Sequence, residues 1–339
     1  LPAPTSPARR VSMVDVARAA GVSQKTVSRV VNDERYVTDE VRERVQRAIE
    51  MLGFRPNGAA RALVTRRSQR IGVVTMGGTT LHGPVSVLAG VEDEARRAGY
   101  ALSIVSTTPG GGREIQAAVD SLVSQGVEAI IVSEPQDFGA RRLDVPDGIE
   151  VLTFSSQAVT SSTREFLAYT DESAGAFEAT RHLLTRAPRV DHIAGPPDWL
   201  ASRSRLRGWR SALTEAGAEI PEPVPGDWSP RSGLEAMRIL LGRGARAVFA
   251  ANDQMAIGAM HAVHEAGLTV GADVAIVGFD DLDVAEYLTP PLSSVQRDFR
   301  AVSRVGMREL LARLDGADPA TPPGAVDSRL VVRASSAPA

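Results

Sequence analysis

"SMVDVARAAGVSQKTVSRVVN", residues 12–32, is the stretch on which the reading of this chain turns. Ser12 and Asp15 stand three apart, a hydroxyl and then a carboxylate, which is the form of a capping box at a helix start. Val14, Val16, Ala17 and Ala20 mark one apolar face of that helix. Gly21 stops it, because glycine enters the left-handed backbone region without a steric cost. Ser23 can cap a second helix from Gln24 to Val31, with Val27, Val30 and Val31 turned inward. Two short helices joined by a glycine turn form a helix-turn-helix unit. A third helix is expected behind Thr38 as N-cap, with Val41, Val45, Ala48, Ile49 and Leu52 in helical spacing and Gly53 past its end.

With the valines inward, Gln24, Lys25, Ser28 and Arg29 are left on the outer face of the second helix. These side chains donate well to base edges and phosphates, and a helix of this width fits the major groove. The charge distribution agrees. Residues 1–70 hold 14 Lys and Arg against 7 Asp and Glu, a balance of +7 in a chain whose total is -3. A basic leader on an acidic body is the pattern of a protein that meets a polyanion at one end.

The run resembles the headpiece of the LacI/GalR (lactose-repressor) family, whose usual form is D-V-A-x-x-A-G-V-S-x-x-T-V-S-R-V-x-N. Every specified position matches, from Asp15 through Gly21 and Arg29 to Asn32. The resemblance implies that Ser23, Gln24, Lys25, Thr26, Ser28, Arg29 and Asn32 lie at operator DNA. Gln24 and Lys25 would read bases, and Tyr36 would lie close by. In "FRPNGAARALVTRRS" (54–68), Pro56 ends the approach and Asn57 can cap a short helix with a basic end. By resemblance this is a hinge helix that orders on DNA, bringing Asn57 and Ala60 to the duplex and wedging Leu63 into the minor groove. Gly58 makes the free hinge easier to unfold, by about 1 kcal/mol relative to Ala.

From Arg70 onward short β-rich runs alternate with helical ones: RIGVVTM, YALSIVS, VEAIIVS and EVLTFSS, then after FLAYT a second series of VDHIAGP, VPGDW, AVFAAND and VAIVGFDD. Repeated β-α units mean parallel sheets covered by helices. Two series predict two doubly wound lobes, with a ligand cleft outside the carboxyl ends of the strands. The whole is an α/β chain with a small all-α headpiece.

The totals bound the rest. At 339 residues, 43% hydrophobic and 23% charged, the composition is that of a soluble protein of two or three domains. Cys is absent, so disulfides, thiolate metal sites and thiol nucleophiles are out. No run reaches the roughly 20 apolar residues of a membrane span. LPAPTSPARR (1–10) reads as a disordered tail without an apolar h-region behind it, so a cytoplasmic location is expected. Catalytic patterns are scarce: there is no G-x-G-x-x-G after a strand, no Walker loop and no G-x-S-x-G elbow. His261 and His264 are spaced for zinc but lack a third ligand, and Asp280-Asp281 lacks a partner acid. No enzyme activity and no cofactor are expected.

The strand ends instead carry groups that suit a sugar: Arg205, Asn252, Asp253 and Asp280 for hydroxyls, Trp228 and Phe299 for the apolar ring face. The segments LHGP (81–84), AGP (194–196), SRLRGW (204–209), ANDQMAIGAM (251–260), VGADVAIVGFDD (270–281) and PPLSSVQRDF (290–299) are similar to the core of the lactose-repressor branch of the family. That resemblance implies a type I periplasmic-binding-protein core with three crossovers, lobe 1 holding about 70–169 and 297–325 and lobe 2 about 170–296 and 326–339. Headpiece and hinge would occupy 11–56 and 57–69. It further implies effector contacts by Arg205, Trp228, Asn252, Asp280 and Phe299, an apolar rim of Leu81, Gly83, Pro84 and Val87, and an aromatic lining by Tyr169. Where that branch has a sugar-binding aspartate, this chain has Ser155 or Ser156. The C-terminal "RLVVRASSAPA" carries none of the leucine heptads of that branch's tetramerisation tail, so the resemblance implies a homodimer on a pseudo-palindromic operator, released by a small carbohydrate such as a galactoside. The alternatives are a regulator answering to another sugar or a purine co-repressor, or a solute-binding protein.

Overall fold

The structure, a computed structural model, describes residues 11–31, 36–55, 67–76, 82–107, 112–133, 142–317 and 325–337. The tail 1–10, Asn32, the hinge residues Asn57, Ala60 and Leu63, and Leu81 lie outside the described residues. Two compact units divide the chain, Leu1–Ser68 and Gln69–Ala339.

In the first unit, helix α1 (Met13–Ala20) starts with a full capping box. Ser12 Oγ accepts from the Asp15 backbone N–H at 3.3 Å, and Asp15 Oδ2 accepts from the Ser12 N–H at 2.9 Å. Gly21 closes α1 at φ +64°, which frees the chain to turn at once into α2 (Gln24–Val31). Helix α3 (Asp39–Leu52) packs across both, and Val16, Ala17, Ala20, Val27, Val30, Val45, Ala48 and Phe54 fill the core. Two sequence readings are corrected here. Val14 is 47% exposed, because the buried stripe runs through Met13, Val16, Ala17 and Ala20 at helical spacing and leaves position 14 outside. Thr38 takes the extended N-cap backbone, but its hydroxyl makes no cap hydrogen bond.

In the second unit, the first lobe is built on strands β1 (Arg70–Met76), β2 (Ala101–Thr107), β3 (Ala129–Ser133), β4 (Glu150–Phe154) and β5 (Glu165–Leu167). They form one parallel sheet in the order β2-β1-β3-β4-β5. Helices α4 (His82–Arg97) and α5 (Gly112–Ser124) provide crossovers. Strands β3 and β4 are buried throughout, which is why VEAIIVS and EVLTFSS read as continuous apolar runs rather than alternating ones.

The second lobe runs α6 (Glu172–Leu184), β6 (Asp191–Ala194), α7 (Leu200–Glu215), β7 (Val224–Pro225), α8 (Pro230–Gly242), β8 (Ala247–Ala250), α9 (Asp253–Glu265), β9 (Ala275–Asp280) and β10 (Ser293–Gln296). The chain then leaves this lobe. Helix α10 (Phe299–Leu314) packs on α4 and β4 of the first lobe, where Ser303 Oγ donates to the Val87 carbonyl at 3.2 Å. Strand β11 (Arg329–Val331) returns to pair antiparallel with β10. The second sheet is therefore β11-β10-β9-β8-β6-β7, parallel except at that edge. Between the two lobes the chain crosses after β5, after β10 and before β11. Strands β10 and β11 escaped the reading of alternating runs because they are short and carry Ser, Gln and Arg rather than apolar residues. The VPGDW run contributes only the two-residue β7.

Candidate DNA-reading helix and effector cleft

Helix α2 is held by a short internal cap. Ser23 Oγ accepts from the Thr26 N–H at 3.1 Å and lies 2.8 Å from Thr26 Oγ1, so both hydroxyls are tied to the helix start. Val27 is fully buried and Val30 is 7% exposed, which pins the rotation of the helix. That rotation leaves Gln24 and Lys25 exposed at the N-terminal end, with Thr26, Ser28 and Arg29 half-buried beside them. N-terminal residues of a recognition helix are those that meet base edges. Tyr36 is 88% exposed.

In the core unit, Ser155, Tyr169, Trp228, Asn252 and Asp280 fall at or just past strand ends while Arg205 and Val87 lie on helices, and an ion-pair cluster organises part of the set. Arg205 on α7 is 3% exposed. Its Nη2 lies 3.1 Å from Glu172 Oε1 and 3.3 Å from Asp280 Oδ1, and its Nη1 donates to the Ala251 carbonyl at 2.5 Å. Arg297, just past β10, grips the same two oxygens at 3.1 and 3.4 Å. Four charges of zero net sum thus meet where β9, β10 and the first turn of α6 converge. Glu172 sits in that first turn, where an anion is favoured by the helix N-terminus. Glu172 and Arg297 were not picked out from the sequence. The usable signal was their place: each stands immediately at an element end bordering the expected cleft.

Aromatic rings carry the guanidiniums. Arg205 lies 4.1 Å over the Phe279 ring and 5.4 Å over Trp228, and Arg297 lies 4.5 Å over Phe299. Trp228 holds φ +74°, a strained value for a non-glycine residue, and is 6% exposed. Its indole packs edge-on to Trp199 and against Gly195, where a Cβ would come within 2.3 Å of the ring. Asn252 spends its carboxamide inside the protein: Oδ1 caps α9 by accepting from Met255 N–H at 2.9 Å, and Nδ2 donates to the Trp228 carbonyl at 3.1 Å. It therefore positions Trp228 rather than standing open to the cleft.

Asp280 and Asp281 both have positive φ, +100° and +50°. Their turn is fastened from behind. Asp281 accepts from Arg333 at 2.7 Å and Gln296 at 2.9 Å, and its N–H donates to Ser294 Oγ at 3.1 Å. Ser294 Oγ in turn donates to Asp253 Oδ1 at 2.5 Å. Asp253 is 1% exposed, and burial raises its carboxyl to a pKa of about 8. Asp281 and Asp253 are thus supports, and Asp280 is the carboxylate presented.

A cavity of about 280 Å³ lies between the lobes. Its walls include Val87, Ser155, Ser156 and Tyr169 from the first lobe and its crossovers, Glu172 and Arg297 from the ion-pair cluster, and Leu200, Ser204 and Arg207 of α7. A wider groove of about 870 Å³ is lined by Asp280, Phe299 and again Arg297. The structure therefore splits the predicted set. Val87, Ser155 and Tyr169 share one space, Asp280 and Phe299 another, and Arg205, Trp228 and Asn252 stand behind them. Gly83 is buried in the first turn of α4; the side chain of Pro84 is not described. Ser155 and Ser156 line this cavity, and Glu172 brings a carboxylate to the same lining. Among the described residues no cluster of three metal-ligating side chains occurs, and no helix is long and apolar enough to cross a membrane.

Comparison with known proteins accounts for both halves. Residues 12–57 match the model of "Bacterial regulatory proteins, lacI family", and residues 180–336 match "Periplasmic binding protein-like domain". The lactose operon repressor of Escherichia coli (strain K12) is 34% identical over 319 residues, covering 90% of this chain and 85% of that protein. The solved lac repressor dimer bound to operator and the anti-inducer ONPF superposes with a TM-score of 0.84 at 30% identity, covering 96% of this chain and 99% of that one. A transcriptional regulator CelR–cellobiose complex gives 0.69 at 31% identity, covering 96% of this chain and 100% of that one. With a helix-turn-helix in its N-terminal residues, a two-lobed core in the residues that follow and a relative this similar over 90% of its length, this chain belongs to the lacI family of bacterial regulatory proteins.

Proposed function

We propose that the protein is a cytoplasmic transcriptional repressor that binds a pseudo-palindromic operator as a homodimer and is released by a small carbohydrate held between the lobes of its core. It acts by binding and catalyses no reaction. One observation carries the reading: a single chain joins a helix whose exposed N-terminal end is Gln24-Lys25 to a cleft whose guanidiniums lie over aromatic rings and are paired with carboxylates. That second feature is what hydroxyl recognition requires, since paired donors and acceptors satisfy a sugar's hydroxyls without leaving a buried charge alone.

The mechanism follows from the chain path. Three segments join the lobes, so a ligand that favours one angle between them shifts the whole core between two arrangements. Sugar that binds the released form more tightly lowers operator affinity, and by linkage operator lowers sugar affinity by the same factor. Val87, Ser155 and Tyr169 would meet the ligand from one lobe; Glu172, Ser204 and Arg207, which line the same cavity, would meet it from the other.

The test is selection of double-stranded DNA from a randomised pool with the full chain, followed by titration of sugars against the selected duplex. A two-fold symmetric consensus whose binding is weakened by one sugar is the expected result. Enrichment of an asymmetric site would remove the dimer. A consensus unaffected by any carbohydrate, but tightened by a purine, would remove the sugar.

A further inference from the structure

We propose that Glu165 is a positioning residue of the effector site: its one carboxylate ties both ends of the turn that brings Ser155 and Ser156 to the cavity. The inference rests on the reading above that a sugar occupies the 280 Å³ cavity, and deepens it.

The path of the chain calls for such a tie. Strands β4 and β5 are parallel neighbours, yet only residues 155–164 join them, and these form no helix. Parallel strands ordinarily need a crossover of a dozen or more residues, most often helical. A shorter path without a helix has little backbone ladder of its own, here an isolated bridge between Leu143 and Thr160, so its N–H groups need other acceptors. Side chains supply them. Gln157 N–H donates to Ser155 Oγ, Ser162 N–H to Thr160 Oγ1 and Arg164 N–H to Ser162 Oγ, each at 3.1 Å.

Glu165 closes the turn at its base. Its Oε1 accepts from Thr153 Oγ1 at 2.7 Å and from the Val159 N–H at 2.9 Å. Its Oε2 accepts from the Thr160 N–H at 2.9 Å and from Thr160 Oγ1 at 2.7 Å. Four donors occupy the four lone-pair positions of a carboxylate. Thr153 precedes the turn on β4, while Val159 and Thr160 follow it, so residues 154–158 hang from a single side chain. Ser155 and Ser156 lie within that span and line the cavity, and Glu165 does not line it. Any effect of Glu165 on a ligand therefore passes through the turn. Thr153, Val159 and Thr160 are all buried, so withdrawing the acceptor leaves enclosed donors unpaired, and the turn regains partners by shifting toward water.

The experiment is isothermal titration of the full-length protein with galactose, glucose, ribose, lactose and cellobiose. The proteins are the wild type, Glu165→Gln and Thr153→Val, each alone and combined with Ser155→Ala or with Ser156→Ala. Glutamine keeps one oxygen but sets an NH₂ donor among donors. The sugar that the wild type binds most tightly is expected to bind Glu165→Gln about tenfold more weakly or worse. With Ser155→Ala or Ser156→Ala already present, adding Glu165→Gln should cost less than about threefold, because groups that act as one unit are not additive. Hydrogen exchange in the sugar-free protein should quicken about tenfold over 157–160 and stay as it is in β9. Thr153→Val removes one of the four bonds and keeps the side-chain shape; it should show the same pattern at smaller size, and it is the readout where Glu165→Gln does not fold. Wild-type affinity in Glu165→Gln overturns the inference and leaves the sugar-responsive reading standing. So does a loss of equal size with and without each serine hydroxyl, the mark of a structural effect spread through the lobe. Binding of none of these sugars to the wild type overturns both.

Discussion

Two fully enclosed titratable groups in the second lobe pull stability in opposite directions with pH, and Asp253→Asn separates them. Burial holds the Asp253 carboxyl at about 8 against an ordinary 3.8, with Asp280 and Asp281 adding repulsion and the Ser294 and Leu282 hydrogen bonds opposing. Burial likewise pushes His192 down to about 4 from 6.5, against the bond of its Nδ1 to the Phe249 carbonyl, while its ring is stacked on Trp209 and Phe249. The unfolded chain ionises Asp253 near pH 4 while the folded chain keeps the proton, so stability is lost as pH rises from about 4 to 8. The slope is about 1.4 kcal/mol per pH unit, on the order of 5 kcal/mol over the window. For His192 the unfolded chain gains a proton below pH 6.5 that the folded chain refuses until about 4. Stability is therefore lost as pH falls through that window, on the order of 3 kcal/mol.

Between pH 4 and 6.5 the two slopes oppose and their joint contribution is flat. From 6.5 to 8 only the Asp253 slope remains, and stability declines before levelling. Asparagine at position 253 keeps an oxygen to accept from the Leu282 N–H, and it does not titrate. Urea unfolding of wild type and Asp253→Asn, followed by tryptophan fluorescence at pH 5, 6, 7, 8 and 9, should show the variant's advantage growing by about 1.4 kcal/mol per unit up to pH 8 and then stopping. A difference that is constant across that range would refute the assignment of a neutral Asp253.

Further outcomes are expected elsewhere. Gly195→Ala drives a methyl into the Trp228 ring at 2.3 Å and should cost about 1–3 kcal/mol of stability while weakening effector binding; thermal melts with and without sugar read both, and full effector affinity would show that Trp228 does not shape the cleft. Arg205→Met leaves Glu172 and Asp280 to share Arg297 alone and should destabilise by about 3–5 kcal/mol; a urea midpoint equal to the wild type's would deny the buried pair its role. Lys25→Ala should weaken binding to the selected duplex by about 1–3 kcal/mol and relax base preference at one symmetric pair of positions. Competition between selected and random DNA measures it, and sugar titration of the same variant should be unchanged.

Much of this protein was legible in its order of residues, because the signals were local. The Ser12–Asp15 capping box, the Gly21 turn and the Val27/Val30 spacing each act within one or two helical turns, so they determine α1, α2 and the outward face of Gln24-Lys25 without help from distant chain. The β-α alternation likewise declared two wound lobes, since a strand buried on both faces must be apolar along its length. Val14 marks the limit even there: an apolar residue beside the stripe cannot be told from one on it until the partner helix is placed.

The cleft was legible as a set of positions but not as an arrangement. Arg205, Asp280 and Phe299 could be named as site residues, yet their neighbours Glu172 and Arg297 come from 108 positions earlier and 17 positions later than Asp280, and only folding brings them within 3.4 Å. Asn252 and Asp253 looked like sugar ligands because their chemistry suits hydroxyls; tertiary structure spends that chemistry on capping α9 and clamping the 280–282 turn. Sequence by itself determined the helix-turn-helix with Gln24-Lys25 outward and the two-lobed scheme, since hydrophobic period and capping are properties of near neighbours. Which charges meet, which are buried, and which remain to greet a ligand were decided by the tertiary structure, because electrostatic pairing depends on distance in space and on the removal of water, and neither is written along the chain.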